Sequence, residues 1–170
     1  MLKNKDQKVT PQFPPEYLVI PHDDHHGKYV GITRYGIKFF ITTPFTFHDK
    51  QKFVACYLFH PDGSLKEAII DQLGSRSELI GKDTSNILPL MPIQPNQTTE
   101  ELIQVRLDQL GSKVFKSISI KPFSIEKYGT TFGLIPDYPY DPREYDTSYV
   151  VLMPGNYMAF HWPWNGEYDT

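Results

Sequence analysis

Cysteine is almost missing from this sequence: one, Cys56, stands among 170 residues. That excludes an internal disulfide framework and any zinc site built from several thiolates. No run reaches the roughly 18 apolar residues that a membrane-spanning helix requires. Met1 to Lys8 hold no apolar stretch, so no secretory signal is read there and a cytoplasmic location is the economical expectation. Positive charge is not in excess either. Lysine and arginine total 17 against 20 acidic residues, giving a net charge of −3 and a pI near 6.0. The basic residues are scattered apart from Lys3, Lys5 and Lys8, which argues against direct binding of DNA or RNA. A nucleophile elbow, a phosphate loop, a dinucleotide-binding glycine turn and a His-Glu-x-x-His helix are all absent. No cofactor is therefore expected, and the reading leans away from an enzyme.

What is present is aromatic and punctuated. Aromatics make up 14% of the chain and carry much buried area per residue, while fifteen prolines and eleven glycines favour short strands over long helices. Residues 1–15 are polar and then proline-rich, and read as a flexible arm. Residues 16–170 read as one domain, long enough to bury a core unaided.

Alternation of apolar side chains marks the strands. Tyr17 to Ile20 reads as an edge strand, and Lys28 to Pro44 as a hairpin turning at Tyr35-Gly36. From Phe53 to Phe59 both alternating faces are apolar, which predicts a central strand, and Pro61-Asp-Gly-Ser64 then turns the chain into Leu65–Ile70. Residues 74–97 give no clear pattern. Thr98-Thr-Glu-Glu101 has capping-box spacing, Ile103, Leu107 and Leu110 share a face joined by Leu102, and Gly111 supplies a stop. A helix is expected over 98–110. Strands follow at Val114–Ile120, Tyr128–Leu134, Tyr149–Met153 and Tyr157–Phe160. The expected class is α+β: a mostly antiparallel sheet of about six short strands, covered on one face by that one main helix.

Three places could carry function. Pro136 to Asp146 interleaves tyrosines with carboxylates, and Tyr138, Tyr140, Asp141, Arg143, Glu144 and Tyr145 are the candidate binding residues. Tyrosines give contact area at little entropic cost and carboxylates steer a basic partner; the bland reading is a stiff surface connection. His22, Asp24, His25 and His26 are the ligand types a divalent metal would use, although such residues beside Gly27 also make an ordinary solvated turn. The run from Gly155 to Thr170 holds both tryptophans and reads as a latch over the core rather than a recognition surface. Cys56, inside an apolar strand, reads as an inert thiol.

Five blocks stand in a recurrent order: Tyr29 to Gly36, Phe39-Phe40 with Thr43-Pro44-Phe45, Tyr57 to Gly63, Tyr128 to Pro136, and Pro154 to Phe160. In these blocks, over about residues 20–170, the chain resembles a group of small uncharacterised bacterial proteins. The resemblance implies a bacterial, cytoplasmic source and carries no activity, cofactor or site residue with it. The functional expectation is a small non-enzymatic binding protein, an adaptor, regulator or toxin-neutralising partner acting by protein–protein contact. Its alternative is a metal-dependent enzyme or small-ligand binder using the His22–His26 turn. The oligomeric state is left open.

Overall fold

The computed structural model of the chain describes residues 12–73, 98–138, 143 and 148–170. The patternless stretch 74–97 and the first eleven residues of the expected arm lie outside the described residues. In chain order the first strands are β1 (Leu18–Ile20), β2 (Tyr29–Thr33), β3 (Lys38–Thr42), β4 (Lys52–Phe59) and β5 (Leu65–Leu73). Helix α1 (Thr99–Leu110) precedes β6 (Lys113–Phe115), β7 (Ile118–Ile120), β8 (Ser124–Lys127) and β9 (Thr130–Asp137). The last three are β10 (Tyr149–Met153), β11 (Ala159–His161) and β12 (Tyr168–Asp169).

These strands form two five-stranded sheets and a two-stranded ribbon, with every pairing antiparallel. The first sheet runs β5-β4-β3-β2-β6, the second β12-β11-β10-β9-β8, and the ribbon is β1-β7. The α+β expectation is thereby corrected. The fold is mainly β, a sandwich of two sheets, with one helix among the described residues. Pairing direction and helix position agree with the sequence reading; the single sheet does not. Two causes account for the error. Strands of three residues such as β1, β7 and β11 are too short to show a period, and alternation reveals a buried face without revealing which sheet owns it.

Strand β4 lies inside the first sheet and buries both faces, as its two-sided pattern predicts. Phe53, Ala55, Tyr57 and Phe59 point to the core between the sheets, where Phe132, Leu134, Val150, Leu152 and Phe160 meet them from the second sheet. Phe53 sits edge-on to Phe132 at 5.0 Å, a favourable geometry for two rings. The ribbon closes the edge of this core with Leu18, Ile20, Ile118 and Ile120. Val54 and Cys56 point the other way, with Phe39 and Ile41, into a second core roofed by Leu102, Ile103 and Leu107 of α1. The result is three layers: helix, sheet, sheet.

Turn chemistry explains the connections. The stretch expected as one strand over Tyr128–Leu134 is a hairpin: Tyr128 and Gly129, at φ of 53° and 69°, join Lys127 to its partner Thr130. Two successive positive φ values are what a tight two-residue hairpin needs, and Tyr128 accepts the strain while its hydroxyl donates to the Ile70 carbonyl at 2.9 Å. Likewise the expected strand Val114–Ile120 breaks at Lys116-Ser117, because β6 pairs with β2 while β7 pairs with β1.

Helix α1 starts and stops where its caps direct. The Thr98 hydroxyl accepts from the Glu101 amide at 3.2 Å, and Gly111 at φ 72° donates to the Asp108 carbonyl. Arg106, which the sequence reading did not single out, is buried. Its guanidinium grips Asp71 of β5 with two bonds, Nη2 to Oδ1 at 2.6 Å and Nε to Oδ2 at 3.0 Å, while Nη1 donates to Gln109. Both side chains are at most a tenth exposed. A buried pair adds little over apolar residues of the same shape, yet removing one member strands the other charge. Arg106→Ala should therefore lower stability in chemical denaturation by roughly 3–5 kcal/mol, and Arg106→Met with Asp71→Leu should recover most of it. A loss under about 1 kcal/mol in the single variant would mean that water reaches Asp71 freely.

Candidate functional site

The histidine turn is built around one carboxylate. Asp23 Oδ1 accepts from the amides of His25 and Gly27, each at 2.8 Å, folding residues 23–27 into an Asx-type turn. Its other oxygen accepts from the Tyr168 hydroxyl of β12 at 2.7 Å. Gly27 is demanded by crowding, since a Cβ there would stand 2.0 Å from the Pro21 carbonyl oxygen. Burial alone would raise the Asp23 pKa; hydrogen bonds from Tyr168, His25 and Gly27, with the charge of His25, outweigh it and hold the carboxyl below its usual value. Burial and the same bond to Asp23 push the Tyr168 phenol up to about 12.

The expected metal ligands do not share one direction. The His25 and His26 rings lie tilted against each other at 3.8 Å between centroids, and His26 also packs on Tyr157 at 5.0 Å and Tyr168 at 6.3 Å. His22 instead lies on Phe115 at 5.7 Å, while its amide donates to Ser117. Asp24 is exposed. Among the described residues no three of histidine, cysteine, aspartate and glutamate gather as a metal cage requires. A small cavity of about 70 Å³ opens beside this pair, walled by His25, His26, Lys28, Tyr29, Thr42 and Thr43 over Ile41 and Ile103. At its wall the Thr42 hydroxyl shares a 2.6 Å hydrogen bond with the phenol of the half-buried Tyr157.

The second place is one end of the second sheet. Tyr149 pairs with both Asp137 and His161, so Tyr138 and Trp162 flank the same end. Tyr138 is 60% exposed and Trp162 49% exposed. Beneath them Phe13 stacks on the buried Trp164 at 6.0 Å and meets the Tyr138 ring edge-on at 5.2 Å. Phe13 and the buried Pro15 thus bring the far end of the expected arm onto the core. Of the candidate binding residues, Tyr138 and Arg143 are both exposed, whereas Tyr140, Asp141, Glu144 and Tyr145 lie outside the described residues. The outer face of this sheet holds a groove of about 390 Å³ along Ile135, Val151 and Met153, reaching Asp137 at its tyrosine end. Register places Val151 directly opposite Ile135.

Phe160 and Trp164 fill the core as a latch would, and Trp162 does not. Long-range partners such as Thr42 with Tyr157 and Asp23 with Tyr168 left no local pattern to read. The apolar groove had one: Ile135, Val151 and Met153 alternate with the inward residues. Among the described residues no helix is long and apolar enough to cross a membrane. No protein-family model, curated protein or solved structure matches the chain.

Two tests follow from the chemistry of these side chains. Burial, with a smaller opposing pull from Arg106, pushes the Cys56 thiol up to about 12, so it should react slowly with a thiol reagent until the protein unfolds. Fast labelling of the native protein would place the sulfur at the surface. Burial, then the neighbouring His25, lowers the His26 pKa from 6.5, against a smaller raising pull from Asp23. The unfolded chain then binds the proton more readily, so this contribution is complete above about pH 6.5 and is lost as pH falls towards the folded value. Melting temperature should drop more steeply between about pH 7 and 5 in the unmodified protein than in His26→Asn. Parallel curves would place His26 in open solvent.

Proposed function

We propose that this chain is a non-enzymatic binding protein that engages a basic protein partner with the outer face of its second sheet. The observation that carries the reading is the groove along Ile135, Val151 and Met153, which reaches Asp137; Tyr138, 60% exposed, follows it in sequence at the same end of the sheet. A sheet face packed on nothing usually alternates into polar residues. Here it offers an apolar stripe with aromatic neighbours and a carboxylate at its end, the composition of an interface core with a polar rim.

Charge selects the partner's chemistry. From 137 to 146 the sequence has Asp137, Asp141, Glu144 and Asp146 against Arg143, and the C-terminal segment adds Glu167 and Asp169 nearby in sequence to Trp162. Carboxylates close in sequence to an apolar face draw a lysine- or arginine-bearing surface and raise its rate of encounter. An adaptor, a regulator or a toxin-neutralising partner in a bacterial cytoplasm would each use such a face, in keeping with the resemblance in the five sequence blocks.

Site-specific photo-crosslinking in cells separates this face from the rest of the surface. A crosslinker replacing Tyr138 should give a discrete adduct with a protein of basic pI. The same group replacing Tyr35, 79% exposed on the β2–β3 turn of the other sheet, should not. The adduct should fade when the lysate is brought to about 1 M salt, where the screening length falls to roughly 3 Å. Equal adducts from both positions, or an acidic partner at Tyr138, would sink the proposal.

A further inference from the structure

We propose that the cavity beside the histidine turn is a binding site for one small oxyanion group, a carboxylate or a phosphate. It rests on side chains separate from the sheet face described above, and either site can exist without the other. Among the described residues the polar wall consists of His25, His26, Lys28, Thr42 and Thr43, every one able to donate a hydrogen bond, with no carboxylate in it. Of the two acids just before it in sequence, Asp24 is exposed and is not a lining residue, and Asp23 has both oxygens engaged, one with two backbone amides and one with Tyr168. It therefore braces the turn without competing for the same space.

Thr42 adds a directional argument. Its hydroxyl and the phenol of the half-buried Tyr157 are 2.6 Å apart. When the phenol donates to Thr42 Oγ1, the threonine proton is free to point into the cavity. An acceptor there satisfies both groups at once. Burial raises the Tyr157 pKa, so the phenol keeps its proton and can act as that donor throughout the neutral range.

Size sets the ligand class. At about 70 Å³ the cavity has room for one small group. A planar carboxylate or a single tetrahedral oxyanion is of that size. Lys28, His25 and Thr43 are exposed at the mouth, so the rest of a larger acid can remain in solvent. Lys28 supplies a charge-assisted bond and the threonine hydroxyls supply orientation.

Amide NMR on the full chain tests this with two probes, sodium acetate and inorganic phosphate, at an ionic strength held constant with sodium chloride. The expected result is saturable shifts at His25, His26, Lys28, Thr42 and Thr43 with at least one probe. Dissociation constants should lie in the millimolar range or tighter, as for a single buried ionic group. Response to acetate alone identifies a carboxylate site, and response to phosphate alone a phosphoryl site. Lys28→Gln, a substitution on an exposed side chain that should not disturb folding, is expected to weaken binding about tenfold. Linear, unsaturable shifts with both anions, or saturation untouched by Lys28→Gln, would overturn the proposal and leave a cavity filled by water.

Discussion

Everything in the sandwich hangs on β4 being wetted on neither face. Its odd-numbered residues from Phe53 to Phe59 form one wall of the core between the sheets, and Val54 and Cys56 form the floor beneath the helix. A strand in that position has no tolerant side, so changes in volume are felt in both layers. It also fixes register. A slip by one residue would carry Tyr57 and Phe59 under the helix and Val54 and Cys56 between the sheets, exchanging large rings for small side chains in spaces already filled. Helix α1 depends on the same strand, since its apolar residues pack over Val54 and Cys56 while Arg106 anchors it to the neighbouring β5.

Much of the first sheet was legible because its signals are local. The two-sided pattern of β4, the Pro-Asp-Gly-Ser turn and the caps of α1 each announce themselves within a few residues. The second sheet was harder. Its β8–β9 hairpin turns on Tyr128, a residue type that seldom takes a positive φ, so the turn was hidden inside what reads as a continuous strand. Arg106 was missed for a related reason. Its spacing from Ile103 and Leu107 puts it beside the apolar face, but only a carboxylate 35 residues away makes burial tolerable. Helical periodicity cannot report such a partner.

The candidate sites divide in the same way. Composition picked out Tyr138 and the histidine turn, because clustered tyrosines and histidines stand out in a chain of average makeup. It could not divide the histidines by direction. His22 goes to Phe115 while His26 goes to Tyr157 and Tyr168 with His25 against its ring, and that separation follows from the Asx turn at Asp23. The alternation behind the groove on the second sheet could not be turned into a surface for want of a sheet assignment. Ile135 and Val151 lie on the outside only once β9 and β10 belong to a layer whose other face is the core.

The bond between Asp23 and Tyr168 has a consequence for how the molecule is made. It spans 145 residues, and the Val19 amide likewise donates to the Trp164 carbonyl. Contacts of such separation form late, after loop-closure entropy has been met by other pairings. During synthesis from the N-terminus the β2–β5 meander can assemble as soon as its own residues have left the ribosome. The histidine turn cannot. Among the first described residues to be translated, it is among the last to acquire its support, so a nascent chain stalled before Tyr168 carries a turn still open to water.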